Sequence, residues 1–282
     1  MQAGVKVGDD RCRRNRGRSG ISGAAQTMGH DRLGVLPRTQ SWTQVVELLD
    51  SEAASIEIAA QSMNAARADL AAVKEDPIFR RAYWLLFEIT EASRHEDFPE
   101  RLKDLGFDIG EQPSLLDLSQ ALSSYLDEYR SALGNYSDVG EMGQFAAAET
   151  LTDLVAPTLP SIFGATTANL QAALRPLSRG KGFGRLSRRF LGRFLNRFLS
   201  YYLSRELSNH LGPGRTFESI AEQTGFEAAL KTHCLQAARI TEQFASEWQG
   251  KAIFERGHLK ESDIQGYLYV ALEKLSKELG RG

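Results

Sequence analysis

From Gly184 to Arg205 three residue types each return every four positions: Arg185, Arg189, Arg193 and Arg197; Phe190, Phe194 and Phe198; Leu191, Leu195 and Leu199. On an α-helix, residues four apart stack along one face with a slow drift. The repeat therefore writes a long amphipathic helix with a phenylalanine ridge, a neighbouring leucine ridge and an arginine flank, and Tyr202 and Leu203 extend the apolar side. The spacing predicts this helix from about Arg185 to Leu211, stopped by Gly212, Pro213 and Gly214. It lies in a segment free of acid: the 52 residues from Leu154 to Arg205 hold no Asp or Glu and nine Lys or Arg.

The rest of the chain is predominantly acidic, and the net charge of −2 conceals this by cancellation. Residues 1–38 carry 8 basic and 3 acidic groups, residues 39–155 carry 8 and 22, residues 156–215 carry 10 and 1, and residues 216–282 carry 8 and 10. A chain of 282 residues is long enough to bury a sizeable core. Its two cysteines, Cys12 and Cys234, form no CxxC pair, and a disulfide between a loose tail and a helix is not expected. With no apolar core of a secretory signal near the N-terminus, a reducing, cytoplasmic setting is the expectation. The uncharged stretch from Leu154 to Leu174 has the length of a membrane span. Pro157, Pro160, Ser161, Asn169 and Gln171 interrupt it, so a broken connector is expected rather than a transmembrane helix.

Organisation follows from caps and breakers. Residues 1–38, rich in Gly, Arg and Ser, read as a disordered basic tail, within which Met28 is a candidate natural start. Ser41 and Gln44 suggest a capping box opening a coiled-coil-like helix of about 30 residues, through Trp42, Val46, Leu49, Ile56, Met63 and Leu70. Asp76 before Pro77 starts a second helix, apolar on nearly every face, over 78–92. A short helix ends at Gly106, Ser114 caps another with its stripe from Leu115 to Leu133, and 138–155 is a fifth. Together, 39–155 is expected to be an acidic helical bundle, 156–184 a Pro/Gly connector containing a short helix near 166–174, and 185–282 a C-terminal helical domain. Within that last domain helices are expected over 226–248 and 263–279. No run of period-two alternation argues for a strand, so the fold class is all-α.

Three roles are open to the basic helix. Its apolar ridges can be core, with the arginines resting on the acidic bundle. Arginines four apart can follow a phosphate backbone, although a continuous phenylalanine ridge resembles core more than a stacking platform. A basic helix with Phe and Leu opposite also suits a membrane surface, provided it can leave the core. The candidate contact residues for a protein or nucleic-acid partner are Arg185, Arg188, Arg189, Arg193, Arg197 and Arg205.

Residues with catalytic or ligating chemistry are few. His95, Glu96 and Asp97 are adjacent and so point in different directions on a helix. His233 and Cys234 are neighbours about 100° apart, and Cys234 falls on the apolar face. His210 precedes a helix stop, where the helix dipole favours an imidazolium. Glu149 and Asp153, spaced i, i+4, lack the Glu-x-x-His that a carboxylate metal site would add. The run from Gly180 to Gly184 has a Gly-Lys pair but neither the leading glycine nor the strand of a phosphate-binding loop; it reads as a hinge. The expectation is thus a non-enzymatic interaction or scaffold subunit without cofactor or metal. The alternative is a nucleic-acid-binding protein using residues 185–205. A peripheral membrane protein and an enzyme with an unfamiliar helical active site are less favoured.

Overall fold

The computed structural model describes residues 34–51, 53–160 and 165–279. All regular structure among them is helical: α1 (Gln40–Asp50), α2 (Ser55–Ala66), α3 (Leu70–Val73), α4 (Pro77–Ala92), α5 (Phe98–Asp104), α6 (Leu115–Leu133), α7 (Asp138–Val155), α8 (Thr167–Leu174), α9 (Gly180–Asn209), α10 (Ile220–Ala237), α11 (Arg239–Arg256) and α12 (Glu261–Leu279). Short 3-10 turns follow α7, at Ala156–Thr158, and α8, at Arg175–Ser178. Most of the expected tail lies outside the described residues. Its last residues, from Gly34, run onto α9: Gly34 N donates to Tyr201 O at 2.8 Å, and Leu36 packs on the core.

The caps act where sequence chemistry places them. Asp76 accepts from Phe79 N at 2.8 Å and Pro77 opens α4. Ser114 and Asp117 form a reciprocal capping box on α6, which ends at Gly134 in the left-handed conformation. Thr166 and Asn169 do the same for α8. Two expected long helices are each divided. The first breaks between Asp50 and Ser55, so that α2 folds back on α1; Gln61 donates to Ser41 O at 3.3 Å and to Gln44 Oε1 at 2.8 Å. Its cap is Thr39, not Ser41. The second breaks at Ala238, where backbone ψ of −5° ends α10 and redirects the chain into α11.

Helix α9 is the axis of the molecule, packed by α7, α10 and α11. Its phenylalanine and leucine ridges are buried throughout. Phe79 of α4 sets its ring 5.3 Å from Phe190 and 4.5 Å from Phe194, and Tyr83 stands 5.1 Å from Phe190. Each such side chain contributes about 1.5–3 kcal/mol by leaving water. One cluster of buried side chains runs from Trp42 to Leu279, so the line between acidic and basic segments divides charge without dividing the core. Inside it, Tyr83 OH and Ser187 Oγ are hydrogen-bonded, meeting the need of a buried hydroxyl for a partner.

The glycines of 180–184 belong to α9 and make no hinge. A Cβ on Gly184 would stand 2.5 Å from Glu242 O of α11, and one on Gly192 would stand 2.7 Å from Leu235 Cδ2 of α10. Both positions are bare because two helices cross there at close range. The N-cap Arg179 lends α9 no side-chain bond; Gln249 of α11 replaces it, accepting from Gly180 N at 2.9 Å and donating to Ser178 O at 2.8 Å.

Candidate functional site

The ridge Lys181, Arg185, Arg189, Arg193 and Arg197 runs along α9 at four-residue intervals, and α7 lies antiparallel across part of it. Arg193 Nε donates to Asp153 Oδ2 at 2.7 Å and lies 3.8 Å from Glu149 Oε2. Arg189 stands 3.7 Å from Asp153, while Arg197 is hydrogen-bonded to Glu149 and lies 4.8 Å over the Phe145 ring. The side chains of Arg189, Arg193 and Arg197 are 35%, 14% and 29% exposed, so these pairs are partly withdrawn from water. Fully solvated pairs contribute roughly 0–1 kcal/mol, and withdrawal from water raises the cost of leaving one charge alone.

The six candidate contact residues therefore separate. Arg189, Arg193 and Arg197 fasten α9 to α7. Arg188, on the adjacent ridge, donates to Leu235 O at 3.0 Å and to Glu242 Oε2 at 2.9 Å, fastening α9 to α10 and α11. Arg185 and Arg205 are exposed, with no ion pair among the described residues. Glu149 and Asp153, a carboxylate pair that lacks the rest of a metal-site pattern in the sequence, are the counter-charges of the arginine ridge. Their i, i+4 spacing matches that of the arginines, which is the signal that could have paired them.

Elsewhere, Arg81 of α4 reaches Glu261 of α12 at 2.9 Å, is hydrogen-bonded to Tyr125 of α6 and lies 5.4 Å over the Tyr129 ring. Nothing in the sequence pattern announces this junction. Near it, burial pushes the Glu88 carboxyl up to about 7; the Glu261 charge adds to this, and Arg81 and Arg101 oppose it.

The remaining residues with reactive chemistry stay apart. Cys234 is buried, its thiol pushed up by burial, so it is a poor nucleophile. His95 is exposed just beyond the C-terminus of α4, and His233 is half-buried on α10. His210 Nδ1 lies 3.7 Å from Asp50 Oδ1 at the rim of an open depression of about 250 Å³ lined by Leu49, Asn209, Arg215 and Thr216. There Thr216 Oγ1 donates to Leu49 O, which ties up the hydroxyl. No group of three or more His, Cys, Asp or Glu among the described residues is placed to hold a metal ion. No helix among them is long and apolar enough to cross a membrane.

No protein-family model matches the chain. The curated proteins hold no match to it. Among solved structures there is likewise none.

Proposed function

We propose that this chain is a non-enzymatic helical subunit that holds a protein partner, in a cytoplasmic setting that keeps Cys234 reduced. One observation carries the reading: the cationic ridge of α9 is only partly used inside the molecule, and its Lys181–Arg185 end stands open beside a fold whose other arginines on that ridge are paired. Charge left over after internal pairing orients and steers an incoming surface.

The other roles fit the geometry less well. A nucleic-acid surface would draw on Arg188, Arg189, Arg193 and Arg197, which are already engaged with Glu242, Asp153 and Glu149. Membrane insertion would require α9 to withdraw three phenylalanines and three leucines from the core, opening to water the apolar side chains of the helices packed on them.

The test is affinity purification of the full chain from the cells that make it, with and without nuclease. A protein partner retained after nuclease treatment in fixed proportion is the expected result. A partner set that disappears with nuclease, or turnover of a substrate by the isolated chain, contradicts the proposal.

A further inference from the structure

The register of α7 on α9 can be continued toward the open end of the ridge. Asp153 meets Arg189 and Arg193, and Glu149 meets Arg193 and Arg197, so each carboxylate sits between two cations one helical turn apart. Running the same register onward, the residue opposite Arg185 and Arg189 would be Pro157. It stands in the 3-10 turn that ends α7, and it carries no charge. Lys181 and Arg185 are exposed, four residues apart, and on the same face as the paired arginines. The connector cannot complete the ladder, because no residue from Leu154 to Arg205 is acidic. Glu242 of α11 is paired with Arg188, and Glu91 of α4 with Arg179.

We infer that Lys181 and Arg185 are a docking edge for an acidic helical segment of a partner protein, one carrying carboxylates at i, i+4. Such a segment would extend the α7 ladder along α9. The inference rests on the reading of the chain as a partner-holding subunit and names the chemistry of the partner. Charge complementarity, with α7 itself as the internal template, is what favours a helix over a less regular polyanion. The two rungs are solvent-exposed, so each contributes modestly and the contact weakens with salt.

The experiment measures binding of the full chain, at 50 and 300 mM salt, to a fluorescein-labelled alanine-based helical peptide with glutamates four apart. A peptide with glutamine at those positions and a single-stranded oligonucleotide serve as comparison probes. The expected result is binding of the glutamate peptide alone, reduced at least about fivefold at high salt. In K181Q/R185Q it is reduced by a further factor of about 5–20, roughly what two exposed pairs confer. K231Q/R239Q, which removes exposed cations from α10 and α11, should bind as the native chain does. Melting temperature verifies that both variants fold. Equal peptide binding by K181Q/R185Q, or no binding by the native chain, overturns the inference. Tighter, Lys181- and Arg185-dependent binding of the oligonucleotide overturns it in favour of nucleic acid. A partner recovered by affinity purification that K181Q/R185Q retains unchanged leaves the subunit reading standing and removes only this edge.

Discussion

The two ends of one ridge on α9 meet different surroundings. Arg189, Arg193 and Arg197 lie against Asp153 and Glu149; Lys181 and Arg185, with the same spacing on the same helix, face solvent. The cause is the length of the neighbour. Helix α7 ends at Val155, and Pro157 turns the chain away before another carboxylate can be presented. A charged stripe is thus an internal fastening where an oppositely charged helix runs alongside it, and a contact edge where that helix stops.

The largest effect is expected where both ends share a foundation. Phe194→Ala removes a ring packed between Phe79 and Phe198 and should cost about 3–5 kcal/mol, read from the denaturant midpoint. A loss below about 1 kcal/mol would place the ridge outside the core.

A smaller effect comes from a carboxylate of the acidic segment that burial disfavours. Glu88 has a folded value of about 7 against an ordinary 4.5, so the fold favours its protonated form. The stability it confers is full below about pH 4.5 and is lost as pH rises through 7. Glu88→Gln should therefore flatten the dependence of stability on pH between 5 and 7, and at pH 8 should stabilise the chain by about 1–3 kcal/mol. Urea titrations across that range check both statements, and a destabilised variant at pH 8 would refute them.

Arg193→Ala comes next, with a loss of about 1–2 kcal/mol, because it removes the least exposed cation of the ladder and leaves Asp153 with Arg189 alone and Glu149 with Arg197 alone. Arg185→Ala, at the open end, should stay within about 0.5 kcal/mol of the native chain. Thermal melts of the pair compare the two ends directly; equal losses would erase the difference between them.

Much of this architecture is legible in the residues. Asp76 with Pro77, Ser114 with Asp117, and Ser137 before Asp138 mark the starts of α4, α6 and α7, because a side-chain cap is a local interaction. The buried ridges of α9 follow from their period alone. The breaks after Asp50 and at Ala238 are not visible, since neither has a glycine or proline and the apolar periodicity continues through both. Those turns are set by tertiary packing, α2 on α1 and α11 on α9. The glycine at 184 suggests a hinge in the sequence and marks close helix contact in the fold, a distinction that needs the neighbour's position. As for the site, the sequence shows the stripe and the opposing net charge. Which arginine meets which carboxylate depends on the register of two helices some forty residues apart, and sign alone does not set a register.

The fastening of the arginine ridge to α7 is measured most directly by a double-mutant cycle between Arg193 and Asp153. Stabilities of R193A, D153A and the double variant should yield a coupling of about 1 kcal/mol or more, while the matching cycle between Arg185 and Asp153 should yield none. A coupling indistinguishable from zero for the first pair would mean that Arg193 does not fasten α9 to α7.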